Sequence, residues 1–274
     1  MLTIYHTSEI NQRSNNEDSL TYKKIEVNGC SEGMWMLAVA DGMGGCNSGE
    51  VYSRLTVAET LRIMEETAAA PFRLSEGSRK VCPADVARAI LPLLGEKAAQ
   101  INRGVISAAA EADVFGGGST LAAALVIGNC LVTFNVGDSP VYLLSGGTAR
   151  ELSVRDNEAE QLYSEGKISR HSEEYRKHAA TLTSFIGDRS APDPHASFTL
   201  LADGDTVILG SDGAFGNMTD ATEVAEGLRG VPESAFAESL CSASAAATFD
   251  NQTVIVAVYT REKRSFLDRF RNRC

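Results

Sequence analysis

The sequence has few of the residues that form thiolate or histidine metal sites. Its six cysteines include no CxxC pair, and its four histidines do not stand at zinc-finger spacing from them. This pattern argues against a structural zinc site. The N-terminus also lacks the basic start and long apolar block of a secretory signal, so a reduced, cytoplasmic protein is expected.

Long apolar runs and excess positive charge are missing as well. The longest apolar stretch, 121–136, is interrupted by Gly128 and Asn129, which predicts two strands and a turn and no transmembrane segment. The formal net charge of −11 argues against a general nucleic-acid binder. The tail 261–274 is an exception, because it is basic and carries apolar residues at helical spacing. It is interpreted either as a solvated terminal helix or as a segment that docks on a membrane surface or a partner.

The remaining pattern predicts strands covered by helices in one domain at 1–260. Strands rich in Val, Ile and Leu are predicted at 34–40, 120–127, 130–136, 141–144, 206–209 and 253–259. Helices are predicted from 47 or 48 to about 69, and at 84–110, 221–228 and 233–247. The polar segment at about 155–182 is expected to form a flap outside the main body.

Four aspartates stand where predicted strands begin or end. Asp41, Asp138 and Asp212 follow strands, and Asp250 precedes one. If the last strand runs antiparallel to its neighbour, all four carboxylates reach one edge of the sheets. Unpaired charges so close together would repel one another, so the cluster predicts bound cations. Oxygen ligands without a His or Cys set favour Mg²⁺ or Mn²⁺, and the carbonyl of Gly42 is a further candidate ligand.

The polar stretch "RSNNED" adds candidate residues close to the N-terminus. Glu17 and Asp18 supply further carboxylates, and Arg13 precedes them. Arginine beside metal-bound carboxylates is suited to clamp a phosphate oxygen. The alternative for Arg13 is an exposed salt bridge.

The order of these motifs resembles the metal-dependent protein phosphatase family (PPM, or type 2C) in its bacterial form. The matching segments, which span most of the chain, are "RSNNED" (13–18), "VADGMGG" (39–45), "GGST" (117–120), "NVGDSPVY" (135–142), "DTVILGSDGAF" (205–215) and "FDNQTVIV" (249–256). The resemblance implies an α+β fold of two packed antiparallel β-sheets flanked by helix pairs, with a flap subdomain.

The resemblance also implies a role for each site residue. Asp41 bridges two metal ions, the Gly42 carbonyl binds one of them, and Asp212 and Asp250 hold the other. Glu17 and Asp18 act through metal-bound waters, and Asp138 with Asp212 forms a weaker third site. Arg13 holds the phosphate.

The implied activity is that of a serine/threonine phosphatase in which a metal-bridging water attacks phosphorus in line. The expected partners are phosphorylated proteins and a cognate kinase, and the protein is expected to be a monomer. Departures from the family pattern are Met43, Pro140, "RDNEAE" (155–160) and "TSFIG" (183–187). Two alternatives stay open, a phosphoprotein-binding module without turnover and a phosphatase for small phosphomonoesters.

Overall fold

The computed structural model describes residues 1–44, 48–72, 80–216, 218 and 220–261. In this part of the chain, every pair of neighbouring strands runs antiparallel. The first sheet contains, in spatial order, β1 (Leu2–Glu9), β11 (Gln252–Tyr259), β10 (Thr206–Gly210), β7 (Val141–Ser145) and β8 (Thr148–Glu151). The second contains β2 (Asp18–Val27), β3 (Cys30–Met43), β5 (Leu121–Ile127), β6 (Cys130–Val136) and β9 (His195–Leu200), while β4 (Gly118–Ser119) pairs with the end of β3.

Alternating side chains of the strands build an apolar layer between the two sheets. Leu37 and Val39 of β3 pack in the same buried cluster as Leu209 of β10 and Ile255 of β11. Their neighbours Met36 and Ala38 belong to a different cluster on the outer face of the second sheet. Successive side chains of β3 thus point to opposite faces, and both faces are buried. This is expected when two sheets pack on each other and helices cover their outer sides.

Helices cover both outer faces of the sheets. The second sheet is covered by α1 (Ser48–Ala69), α2 (Pro83–Ile90) and α3 (Leu94–Glu111), and the first by α6 (Ala221–Gly227) and α7 (Phe236–Ser244). The flap contains α4 (Glu158–Ser164) and α5 (Glu173–Ala179). None of the described helices is long and apolar enough to cross a membrane.

The structure corrects several sequence-based boundaries. The helix predicted at 84–110 is divided into α2 and α3 by a short 3-10 turn, Leu91–Leu93, because Pro92 cannot donate to the helical ladder. The strand predicted at 34–40 begins at Cys30 and continues to Met43, so Asp41 lies inside the strand and does not end it. Strands β1, β2, β8 and β9 were not predicted.

Two predicted features lie partly outside the described residues. The first helix was expected to start at Asn47 or Ser48, and α1 begins at Ser48, whereas 45–47 lie outside the described residues. Most of the basic tail, 262–274, also lies outside them. Its docking role therefore stays a prediction, as do the domain limits.

Candidate metal centre

The backbone of Asp41 is held by two neighbouring segments. Its N–H donates to Thr120 Oγ1 at 2.9 Å, and its carbonyl accepts from the Thr120 N–H at 2.8 Å. On the other side it is paired across the strands with Asp18 of β2. The carboxylate of Asp41 is thus carried on a rigid strand and not on a loop.

Glycines allow the segments around Asp41 to approach closely. A Cβ at Gly42 would lie 2.2 Å from the Gly49 carbonyl oxygen and 2.5 Å from that of Glu17. A Cβ at Gly49 would lie 2.7 Å from Glu17 Oε1. Any larger residue would separate β3, the start of α1 and the Glu17 segment, so these glycines are required by contact.

The structure brings the aspartates of four strands to this end of the sandwich. Asp138 follows β6, Asp212 opens a short 3-10 turn after β10, and Asp250 precedes β11. The charges of Asp18, Asp212, Asp250 and Asp138 all act on the carboxylate of Asp41. The predicted convergence at one edge is therefore observed.

Burial and mutual repulsion raise the pKa values of this cluster. Burial first, and then the charge of Asp18, raises the pKa of Asp41 well above its ordinary value. Burial and the charge of Asp212 raise the pKa of Asp138 to about 7. Loss of solvent and the charge of Asp250 also raise the pKa of Asp212, although that residue keeps an exposed edge. Positive charge beside the cluster would oppose these pKa shifts.

Arg13 supplies part of that charge. Its guanidinium donates to Asp250 Oδ2 at 2.8 Å, and the side chains are 51% and 35% exposed, respectively. Its charge also acts on Glu17 and Asp41. Arg13 thus lies beside a candidate ligand and faces solvent. This position is compatible both with a salt bridge and with a phosphate clamp.

Asp18 is buried as deeply as Asp138. It is 8% exposed, and Ser211 Oγ donates to its Oδ2 at 2.7 Å. Burial, only partly offset by hydrogen bonds from Ser211 and Thr253, raises the pKa of Asp18 to about 7. Asp18 lies opposite Asp41 on the neighbouring strand, whereas Glu17 is half-buried beside Gly49.

The donor set fits a hard divalent cation. Within the described residues, no three Asp, Glu, His or Cys side chains already converge on one ion position. The carboxylate of Asp212 instead interacts with that of Asp41, and Arg13 donates a hydrogen bond to Asp250. Carboxylates crowded in this way suit a divalent cation, since Mg²⁺ and Mn²⁺ prefer oxygen ligands.

Sequence reasoning missed the amides and hydroxyls that position the carboxylates. Asn251 accepts from the Glu17 N–H at 2.8 Å and donates to the carbonyls of Ile10 and Asn15, both at 2.9 Å. It therefore fixes the loop that carries Arg13. Asn251 stands inside the "FDNQTVIV" motif, but nothing local in the sequence indicates partners more than 230 residues away.

Comparison with known proteins assigns this geometry to a family. The family model described as Protein phosphatase 2C matches residues 7–243. The chain belongs to this family. It is 29% identical, over 71% of each chain, to the serine/threonine phosphatase stp of Listeria welshimeri. It is also 29% identical to the serine/threonine protein phosphatase PstP of Mycobacterium tuberculosis, over 81% of this chain but only 37% of that protein.

A solved structure supports both the fold and the metal chemistry of the family. The PstP catalytic domain in complex with two manganese ions is 27% identical to this 2C-type phosphatase. The match covers 94% of this chain and 98% of that one, with a TM-score of 0.69. The predicted family, the class of phosphatase and the two-sheet α+β fold are therefore confirmed. The role of each site residue stays a prediction.

Proposed function

We propose that this 2C-type phosphatase hydrolyses phosphoserine and phosphothreonine in proteins, with divalent cations held at the Asp41 cluster. The observation that carries the proposal is the crowding of Asp18, Asp138, Asp212 and Asp250 around Asp41. Repulsion among these carboxylates is unfavourable, and bound cations would offset it in the active protein.

Each carboxylate has a proposed place in the metal centre. Asp41, the Gly42 carbonyl, Asp212 and Asp250 would hold two ions tightly, and Asp138 with Asp212 would hold a third more weakly. Glu17 and Asp18 would act through waters. Manganese and magnesium both suit this oxygen set, and the PstP relative supports manganese.

Divalent ions held there would supply Lewis acidity, which would lower the pKa of a bound water and offset negative charge on the phosphoryl group. The chain contributes position and charge. Arg13 lies beside Asp250 with an exposed guanidinium, so it can turn from that carboxylate to a phosphate oxygen at the same rim. Ser211 and Thr253 hold Asp18, which keeps the strand pair β2–β3 fixed under the reacting centre.

The proposed substrates are phosphorylated proteins, including a cognate serine/threonine kinase and its targets. The names of the stp and PstP relatives support this class of substrate. Action in the cytoplasm as a monomer remains part of the proposal.

Phosphate release from a phosphothreonine peptide tests the proposal. Wild-type protein should release phosphate with Mn²⁺ and lose that activity in excess EDTA, because the ligands are all oxygen. Asp41→Asn should be inactive yet folded, whereas Asp193→Asn, an exposed control, should match wild type. Turnover in EDTA would refute the metal mechanism. Faster hydrolysis of small phosphomonoesters than of peptides would favour that alternative, and metal-dependent peptide binding without release would favour the binding module.

A further inference from the structure

One amide joins the Asp138 carboxylate to the flap. Asn157 Nδ2 donates to Asp138 Oδ2 at 3.0 Å, and Asn157 Oδ1 accepts from the Glu160 N–H at 3.0 Å. Asn157 is 3% exposed and Asp138 is 8% exposed. A buried side chain thus uses its two ends for two different elements, one in the candidate metal centre and one at the start of α4.

The neighbouring residues make this junction rigid. The Asp156 N–H donates to the Gly137 carbonyl at 3.0 Å, and Asp156 Oδ2 accepts from the Gly137 N–H at 2.9 Å. Asp156 Oδ1 lies 2.7 Å from His195 Nε2 of β9. The entry to the flap is therefore fastened to the turn that presents Asp138, and the flap cannot shift there without disturbing that turn.

The exit of the flap closes on the same residue. Asn157 forms an isolated bridge with Leu182, and the Glu158 N–H donates to the Thr181 carbonyl at 2.9 Å. Both ends of the flap thus meet at Asn157. Since its Nδ2 is the group that faces Asp138, the orientation of that carboxylate depends on where the flap is seated.

We propose that Asn157 is a positioning residue that orients Asp138 as an oxygen ligand and couples ion binding there to the seating of the flap. This inference rests on the proposed function, in which Asp138 holds the weak ion. Coupling of this kind is reciprocal, so an ion at Asp138 stabilises the seated flap and a seated flap strengthens ion binding. Groups that orient a metal ligand commonly change metal affinity about 10- to 100-fold when they are removed.

Asn157→Ser separates positioning from helix capping. Serine retains an oxygen that can cap α4, but its side chain is too short to donate to Asp138 as well. Ser172→Ala is the matched control, because Ser172 caps α5 by accepting from the Tyr175 N–H at 3.1 Å and does not touch Asp138. Asn157→Thr is a second capping variant for use if the serine variant does not fold.

Calorimetric titration of the full chain with Mn²⁺ provides the first readout. Asn157→Ser should retain the tight ions and weaken the weak ion about tenfold or more. Ser172→Ala should titrate as wild type does. In an Asp138→Ala background, Asn157→Ser should cause no further change, since the carboxylate that it positions is absent.

Limited proteolysis provides a second readout, independent of activity. Mn²⁺ at concentrations that fill the weak site should slow cleavage within the flap of wild type, and this protection should be lost in Asn157→Ser. If Asp138→Ala removes the weak ion but Asn157→Ser titrates as wild type, the positioning role is refuted. If Asp138→Ala leaves the titration unchanged, the proposed role of Asp138 itself is wrong.

Discussion

Arg13 pairs with a carboxylate that the proposed mechanism assigns to a metal ion. Its guanidinium is half-exposed and lies 2.8 Å from Asp250 Oδ2. An exposed pair of this kind contributes roughly 0–1 kcal/mol to stability. If Arg13 had a purely structural role, its removal would therefore change the free energy of unfolding only slightly. A role in holding phosphate would instead appear in kinetics.

Arg13→Ala should lower kcat/KM for a phosphopeptide by about tenfold or more, corresponding to ~1.4 kcal/mol of lost transition-state stabilisation. Affinity for Mn²⁺ should be retained or increased, because Asp250 loses its competing cation. Arg62→Ala is the matched control, since Arg62 is equally exposed and pairs with Glu59 and Glu66 on α1. Kinetic constants equal to those of wild type would restore the salt-bridge interpretation.

The sequence indicated the charged residues of the site but not the residues that hold them. Asp41, Asp138, Asp212 and Asp250 were recognisable because each stands next to an apolar run in the sequence. Ser211 and Asn157 were not, because their partners are 193 and 19 residues away, and a hydroxyl or amide has no sequence pattern that points to a distant carboxylate. Long-range hydrogen bonds become visible only when the fold is known.

At the scale of elements, the missed strands share one position. Strands β1 and β8 are the edges of the first sheet, and β2 and β9 are the edges of the second. In such edge strands, partly buried residues can alternate with exposed ones, as they do along β9. The central strands were predicted because both of their faces are buried, which gives continuous apolar runs.

Asn102 on α3 fastens the loop that follows the flap. It donates to the carbonyls of Asp188 and Ser190 at 2.9 and 3.3 Å and accepts from the Gly187 N–H at 2.7 Å. The preceding residue, Ile186, exchanges two backbone hydrogen bonds of 2.8 Å with Ser119. The contacts of Asn102 therefore extend, through this loop, to β4 and the end of β3.

Asn102→Ala should destabilise the protein by about 2 kcal/mol, because it removes three hydrogen bonds to the backbone of a partly buried loop. It should also lower Mn²⁺-dependent turnover at temperatures well below unfolding. Val105→Ala, one turn further along α3, is the control: it should destabilise through a core cavity without touching the loop. Equal turnover in the two variants would show that Asn102 contributes to stability alone.

At the scale of the whole molecule, apolar packing and the charged site oppose each other. Three buried clusters hold the helices and the two sheets together. At one end of the same sandwich, buried carboxylates repel one another. The free energy of unfolding of the metal-free protein must therefore depend on how many of these groups carry a proton.

Without metal, stability should fall as the pH rises from about 4 to about 7. Burial raises the pKa values of Asp18 and Asp138 from 3.8 to about 7, so the folded state holds protons in this range that the unfolded state has released. The stabilisation is complete below the unfolded pKa and is lost as the pH passes the folded pKa. For each such carboxylate, the free energy of unfolding falls by ~1.4 kcal/mol for every pH unit between its unfolded and folded pKa values. Urea unfolding in EDTA across this range measures the slope, and Asp18→Asn should flatten it.

Manganese should reverse this trend. Mn²⁺ binds the deprotonated carboxylates of the folded state, so its stabilisation grows as the pH rises, reaching about 2.7 kcal/mol when free Mn²⁺ exceeds its dissociation constant 100-fold. The urea midpoint at pH 7.5 should therefore rise with added Mn²⁺ in wild type and much less in Asp41→Asn, where the central ligand is weakened. A stability that rises with pH in EDTA, or an Asp41→Asn variant that gains as much from Mn²⁺ as wild type, would contradict the assignment of these carboxylates to the metal centre.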